Sequence, residues 1–307
     1  MQNEKPSAAG LQAAPNPASV LKLARDAFSA WIDDYGQSMG AALAYYAVFS
    51  MAPLLLIVIS FAGLVFGADA AQGEILQQLS GLMGEDAARA VQGLIESASE
   101  PTTSVFAAAV GTVMLVIGST TVFGELQDAM DRIWRVPQNN KPSGVWGLLR
   151  SRLLSFGMIL GIGFLLMVSL VFSAALSALE NWWNPWFGDW AILASVVNQV
   201  VGFLLTAAAF ALIYKIMPRV RIRWHDVWVG AGVTAGLFTV GKYLIGLYIG
   251  KSGITSLFGA AGSLVVLLVW VYYSAQIFLI GAEFTWVYSH TFGSRRGTPR
   301  PGARQDV

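Results

Sequence analysis

The residues with the most chemistry to offer in this chain stand where they cost the most. Glu283 lies inside the apolar run from Ser263 to Tyr288. A charged side chain within hydrocarbon costs roughly 3 kcal/mol or more, so an ionisable group there is a functional candidate. At about 1.5 Å per residue, Glu283 is roughly 8 Å from the inner end of its run. Tyr45, Tyr46 and Ser50 of the first apolar run stand at comparable depth, as do Thr120, Thr121 and Glu125 near the end of the second. Glu125, Asp128 and Asp131 recur at three-residue spacing, which places them on one helix face where the second run leaves the membrane. Carboxylates, hydroxyls and phenols gathered in this way bind a cation, relay protons or orient a headgroup. A structural role for the three is the competing reading, in which Arg132, Arg135 or the basic fourth connection clamps them.

A second polar layer lies toward the other side. Lys242 is roughly 10 to 12 Å below the outer end of its run, Asn198 and Gln199 are at nearly the same depth, and Gln276 is closer to mid-bilayer. Lys242 and Glu283 differ in height by about 10 Å, too far for a direct ion pair. Snorkelling of the four-carbon stem to the outer headgroups is the bland alternative for Lys242.

Other chemistries are excluded by what the chain lacks. It has no cysteine, hence no disulfide, thiolate metal site or Cys nucleophile. His225 and His290 are its only histidines, and neither sits at metal-ligand spacing. No Ser-His or paired-Asp motif falls within the apolar runs, so an intramembrane hydrolase ranks last and the chain is not expected to be an enzyme. No cofactor or metal is expected. The net charge of +1 gives no basic groove for nucleic acid.

Six apolar runs must position these residues, near 42–66, 104–124, 153–179, 190–217, 227–250 and 263–288. Each reaches the roughly 20 residues that cross about 30 Å of hydrocarbon. The composition of the whole chain agrees, with 55% hydrophobic and 12% charged residues, against about a quarter charged in soluble domains. Of the 19 Lys and Arg residues, 16 fall in the N-terminal arm, the second and fourth connections and the C-terminal tail. Basic flanks resist translocation, so six transmembrane helices in one all-α bundle are expected, with both termini cytoplasmic. The polar, Ala- and Pro-rich start has no apolar h-region, which leaves insertion to the first span.

Around the bundle, residues 1–17 and 292–307 read as disordered tails. Ser19 to Tyr35 carries Leu21, Ala24, Phe28, Trp31 and Ile32 at helical spacing, an amphipathic helix on the membrane surface or packed under the bundle. The acidic connection Ala68 to Thr103 predicts two short surface helices broken near Gly84. Trp182, Trp183, Trp186 and Trp190 on one side, and Trp134, Trp146, Trp224, Trp228 and Trp286 on the other, fit two interfacial belts. Pro53 removes a donor from the first span and is expected to kink it. Gly253, Gly259 and Gly262 suit either a mobile gate or a tight turn before the last span.

Three blocks carry a family resemblance. They are Ala41 to Ser50 with Ala52-Pro53-Leu54-Leu55, then Phe123-Gly124-Glu125-Leu126-Gln127-Asp128-Ala129-Met130-Asp131-Arg132-Ile133-Trp134, and finally Gly259 to Ser263 with Trp270 to Gln276 and Gly281-Ala282-Glu283-Phe284. In this order they resemble the YihY/BrkB family of bacterial inner-membrane proteins. The resemblance implies a six-helix integral membrane protein, with Tyr45, Tyr46, Glu125, Asp128 and Glu283 as signature positions. Lys242 lies outside the blocks. Family members have carried the labels ribonuclease BN and virulence factor, and a role in transport or envelope lipid handling has been suggested. The nuclease label fails on the missing ligand cluster and basic groove. The expectation is a transporter or lipid flippase of envelope homeostasis, with membrane lipids around it and a lipid or small solute as substrate. Its alternative is a non-transporting scaffold for envelope machinery that works through the surface helices.

Overall fold

The computed structural model describes residues 17–98, 121–137, 190–252 and 261–296, with short stretches between 153 and 172 and Phe258. Most of the second and third expected spans, the loops around Trp146 and Trp182 to Trp186, and the Gly253 to Gly259 segment lie outside these residues. The described elements are α1 (Pro17–Asp33), α2 (Gly36–Phe66), α3 (Ala68–Met83), α4 (Glu85–Ala98), α5 (121–133), α6 (Trp190–Ile216), α7 (Trp224–Ser252) and α8 (Gly262–Thr291). There is no strand among the described residues.

Four of the described helices are long and apolar enough to cross a membrane, over Gly36–Leu64, Ser195–Ile216, Trp224–Ile249 and Gly262–Thr291. These correspond to the first, fourth, fifth and sixth expected spans. The periodicity of α2 starts earlier than its apolar run, and the helix passes through Pro53 as one element. The break foreseen near Gly84 is real. Gly84 has φ 85° and its N–H closes α3 on the Ser80 carbonyl, a backbone angle that a Cβ resists.

At the centre is α8, which packs against α1, α2, α4 and α7. Two cores form along it. Val266, Leu267 and Val271 meet Val48, Leu55 and Ile59 of α2 and Ala87, Val91 and Ile95 of α4. Toward the other end, Leu279, Ala282 and Trp286 meet Leu23 and Ala27 of α1, Met130 and Ile133 of α5 with Trp134 just beyond it, and Tyr214 and Val227. This second end carries Arg132, Arg135, Arg219, Arg221, Arg223, Arg295 and Arg296 and is the basic end of the bundle. The acidic α3 and α4 cover the opposite end of α2 and α8.

Small residues set how closely the helices approach, because lipid offers helices no hydrophobic drive toward one another. Where α7 crosses α8, a Cβ on Gly230 would lie 2.7 Å from the Cβ of Thr285, and one on Gly281 would lie 2.9 Å from that of Thr234. A threonine Cβ moves only with its backbone, so the two helices would have to separate. Gly281→Ala should therefore lower stability by about 1 to 3 kcal/mol, seen as an earlier thermal transition in detergent; an unchanged transition would mean that the crossing is loose.

The packing of α1 divides its apolar residues between the bundle and the outside. Leu23, Ala27, Ala30 and Trp31 are buried, whereas Leu21, Phe28 and Ile32 point outward, Leu21 with 74% of its surface exposed. In a soluble protein the larger apolar side chains turn inward. Beside a bilayer the preference relaxes, since large side chains are at ease in lipid while small ones let helices touch. The aromatic belt is corrected for two of its members. Trp224 and Trp228 are exposed as a belt requires, yet Trp134 and Trp286 belong to the core. Nor is residue 292 the start of a loose tail: 292–296 form turns in which the Ser294 amide donates to Asp226 Oδ2 at 3.1 Å and its hydroxyl at 2.5 Å.

Candidate functional site

The break between α1 and α2 falls at Asp34-Tyr35, with Tyr35 in the left-handed region at φ 58°. That turn swings Asp33 and Asp34 in beside α8. From the other side comes the end of α5, closed by two backbone bonds: Val136 N–H to the Asp131 carbonyl and Arg135 N–H to the Arg132 carbonyl. This pattern places Arg135 in the left-handed position where glycine is usual, and its φ is 52°. An arginine held there against the steric preference of its own backbone points to a need for its side chain. The guanidinium lies over the Trp286 ring at 4.5 Å and 3.7 Å from the Asp34 carboxylate.

Between these two turns lies Glu283. It is completely enclosed, and neither of its carboxyl oxygens has a hydrogen-bond partner. The charged groups acting on it are Asp34, Arg135 and Asp33, and the Asp34 carboxyl is within hydrogen-bonding reach. Asp34 Oδ2 also accepts no hydrogen bond. Two acceptors thus face each other with no donor between them. At an effective dielectric near 20, two unit charges about 4 Å apart repel by about 4 kcal/mol, and the Arg135 cation offsets one of them. The cluster is closed on the Glu283 side and partly open on the other, where Asp34 and Arg135 keep 19% and 29% of their side-chain surface exposed.

The remaining expected site residues are dispersed. Asp131 is buried and structural: Arg219 donates to it from its backbone at 3.0 Å and from Nη1 at 2.6 Å, while Nη2 of Arg219 reaches Gln127 at 3.0 Å. Gln127 in turn donates to the Met217 carbonyl at 3.2 Å. This is the clamp on the fourth connection that the competing reading called for. Asp128 is exposed and Glu125 half-buried. Steps of three residues rotate each side chain about 60° from the last, so Asp131 turns away from the direction of Glu125.

Tyr45 and Tyr46 do not join Glu283. They lie on the outer face of α2, Tyr45 with 57% of its surface exposed, in a ring cluster with Phe49. Leu43, Ala44 and Val48 take the inward face instead. Gln276, two turns from Glu283 on α8, is occupied: Trp31 Nε1 donates to its Oε1 at 3.0 Å and its amide reaches the Gln37 carbonyl at 3.4 Å. It ties α1 and α2 to α8.

Nor is the second layer gathered into a buried site. Asn198 and Gln199 are on the exposed side of α6, and Lys242 is half-buried with its ammonium 5.3 Å from the exposed Tyr243 ring. Asp34 and Arg135 are the site residues that sequence reading missed. Their signal was a helix break beside acidic residues and an arginine at a helix end in place of glycine.

Comparison with known proteins places the chain. The profile described as virulence factor BrkB matches residues 27–306. The chain is 28% identical over 265 residues to a UPF0761 membrane protein of Tolumonas auensis, a match covering 83% of this chain and 82% of that one. It is 28% identical over 285 residues to a UPF0761 membrane protein of Pseudomonas paraeruginosa, covering 92% and 66% of the two. With a UPF0761 membrane protein of Stenotrophomonas maltophilia it shares 24% identity over 276 residues, 90% of this chain and 62% of that protein. The chain thus spans only about two thirds of the length of the latter two. No solved structure matches it. A bundle of membrane-length helices whose sequence fits one family profile over nearly its whole length makes this a membrane protein of the BrkB virulence-factor family.

Proposed function

We propose that the protein is a transporter or lipid flippase of the inner membrane, with its basic end toward the cytoplasm and the Glu283 cluster as its substrate or coupling-ion site. The observation that carries this reading is the enclosed Glu283 carboxyl, which the fold leaves without a hydrogen-bond donor. A carboxyl kept for packing alone would be expected to have a partner, because an unpartnered buried polar group destabilises the protein that holds it. The basic residues of that end are those that resist translocation, which supports the orientation. Envelope lipids and small solutes are the candidate substrates.

The test is reconstitution of the full chain into liposomes. Exchange of a fluorescent phospholipid between leaflets, read by external quenching, and uptake of small solutes are compared with protein-free liposomes. Acceleration of either is expected. Equal rates across lipids and solutes would overturn the proposal. A scaffold is the second reading, and the outward apolar face of α1 (Leu21, Phe28 and Ile32) favours it. In that case a stoichiometric partner would co-purify and be lost when residues 19–35 are made polar.

A further inference from the structure

We infer that Glu283 and Asp34 hold one proton between them, with Arg135 as the counter-charge, so that the coupling ion of this site is a proton. The inference rests on the transport reading of the same cluster and narrows it to one ion.

Geometry supplies the first argument. Glu283 and Asp34 are two acceptors within bonding reach, and no donor from the protein stands between them. A single proton converts that arrangement into a carboxyl donating to a carboxylate, a short charge-assisted bond. Charge supplies the second. With both carboxyls ionised, two negative charges meet one arginine; with one proton added, the remaining carboxylate and Arg135 balance. Asp33, exposed at the same corner, is the other charged group that acts on Glu283 among the described residues. Thr234 and Tyr214, where α7 and α6 approach α8, are satisfied by each other and by the Phe278 carbonyl at 2.8 Å.

A metal cation suits the cluster poorly. Calcium takes six to eight oxygens and magnesium an octahedral set, whereas no three His, Asp or Glu residues among those described gather to hold an ion. The Arg135 guanidinium also occupies the approach to Asp34.

The arrangement gives a direction to proton movement. Asp34 and Arg135 are partly exposed and Glu283 is not, so the proton enters from the basic end by way of Asp34 and comes to rest on Glu283. When it leaves, the guanidinium is drawn toward the pair of carboxylates. The left-handed Arg135 holds the turn of α5 that would move with it.

Infrared difference spectroscopy of the full chain in lipid nanodiscs tests this, with pH steps as the probe and the carbonyl stretch of a protonated carboxyl as the signal. Wild type should show one such band that titrates away as pH rises, absent in Glu283→Gln. In Asp34→Asn, which removes a like charge, loss of the band should move to lower pH by about one to three units. In Arg135→Gly, whose new residue suits the left-handed backbone, it should move to higher pH. A wild-type spectrum with no band beyond that of Glu283→Gln, or a titration unmoved in Asp34→Asn, overturns the inference. If substrate moves in liposomes while the band is missing, the proton is wrong and transport stands; if the band titrates as expected and nothing moves, the shared proton stands and transport falls.

Discussion

Replacing Asp131 with alanine should cost the protein about 3 kcal/mol. The substitution strips Arg219 of two of its hydrogen bonds, one from its backbone and one from its side chain, and leaves the guanidinium half-buried. Breaking a buried pair by removing one partner costs about 3 to 5 kcal/mol, and the lower end applies because Arg219 keeps 22% of its side-chain surface in contact with solvent. Arg219→Ala should do comparable harm, and the double variant should be little worse than either single one, since both remove the same interaction. Thermal or denaturant unfolding in detergent reads the effect. If Asp131→Ala unfolds within about 0.5 kcal/mol of wild type, a size typical of surface substitutions, the clamp between α5 and the loop after α6 is not what holds this end together.

Glu283→Gln should show the opposite pattern, loss of activity without loss of stability. Glutamine keeps the shape of the side chain, removes the ability to gain or lose a proton at a position where no protein donor meets it, and supplies an N–H that can donate to Asp34. An amide in place of an enclosed acid that no protein donor meets, next to Asp34, should leave the fold unchanged or raise its stability by up to about 2 kcal/mol. A residue whose removal stabilises the fold while abolishing activity is one retained for function at the expense of stability. The contrast with Asp131 matters because the two acids are alike in burial. Asp131 is 3% exposed and Glu283 0%, but the first is met by donors and the second is not.

Much of this architecture was legible in the sequence because a bilayer constrains a chain through its length and hydropathy. Runs of twenty apolar residues and an alternation of basic connections need no tertiary contact to be read. The helix break at Gly84 and the two surface helices beside it were equally local. Glu283 stood out for the same reason, as a lone charge in hydrocarbon. What failed was the direction in which side chains point. Counting residues puts Tyr45 and Tyr46 at the depth of Glu283. Yet α8 is already level with Gln37 and Gly40 at Gln276 and reaches Asp34 at Glu283, and both rings face outward. A residue count fixes neither how helices are offset along each other nor their rotation. The same lack of information hid how α1 divides its apolar residues, with Leu23, Ala27 and Trp31 turned into the bundle and Leu21, Phe28 and Ile32 turned outward.

The partners of Glu283 were hidden for a different reason. Asp34 belongs to a turn 249 positions away in sequence, and only the left-handed Tyr35 brings it to α8. Arg135 reads in sequence as one more basic residue at a membrane edge, where positive charge needs no explanation. Its backbone angle distinguishes it, since a Schellman turn closed by arginine instead of glycine retains a side chain at a steric cost.

The most direct measurement pairs the rate of lipid or solute movement with the melting temperature of the same reconstituted Glu283→Gln sample. A working carboxyl predicts that movement falls to the protein-free rate while the melting temperature stays equal to wild type or rises. Movement at the wild-type rate, or a loss of movement accompanied by a clear fall in melting temperature, would contradict it and leave Glu283 as a structural residue.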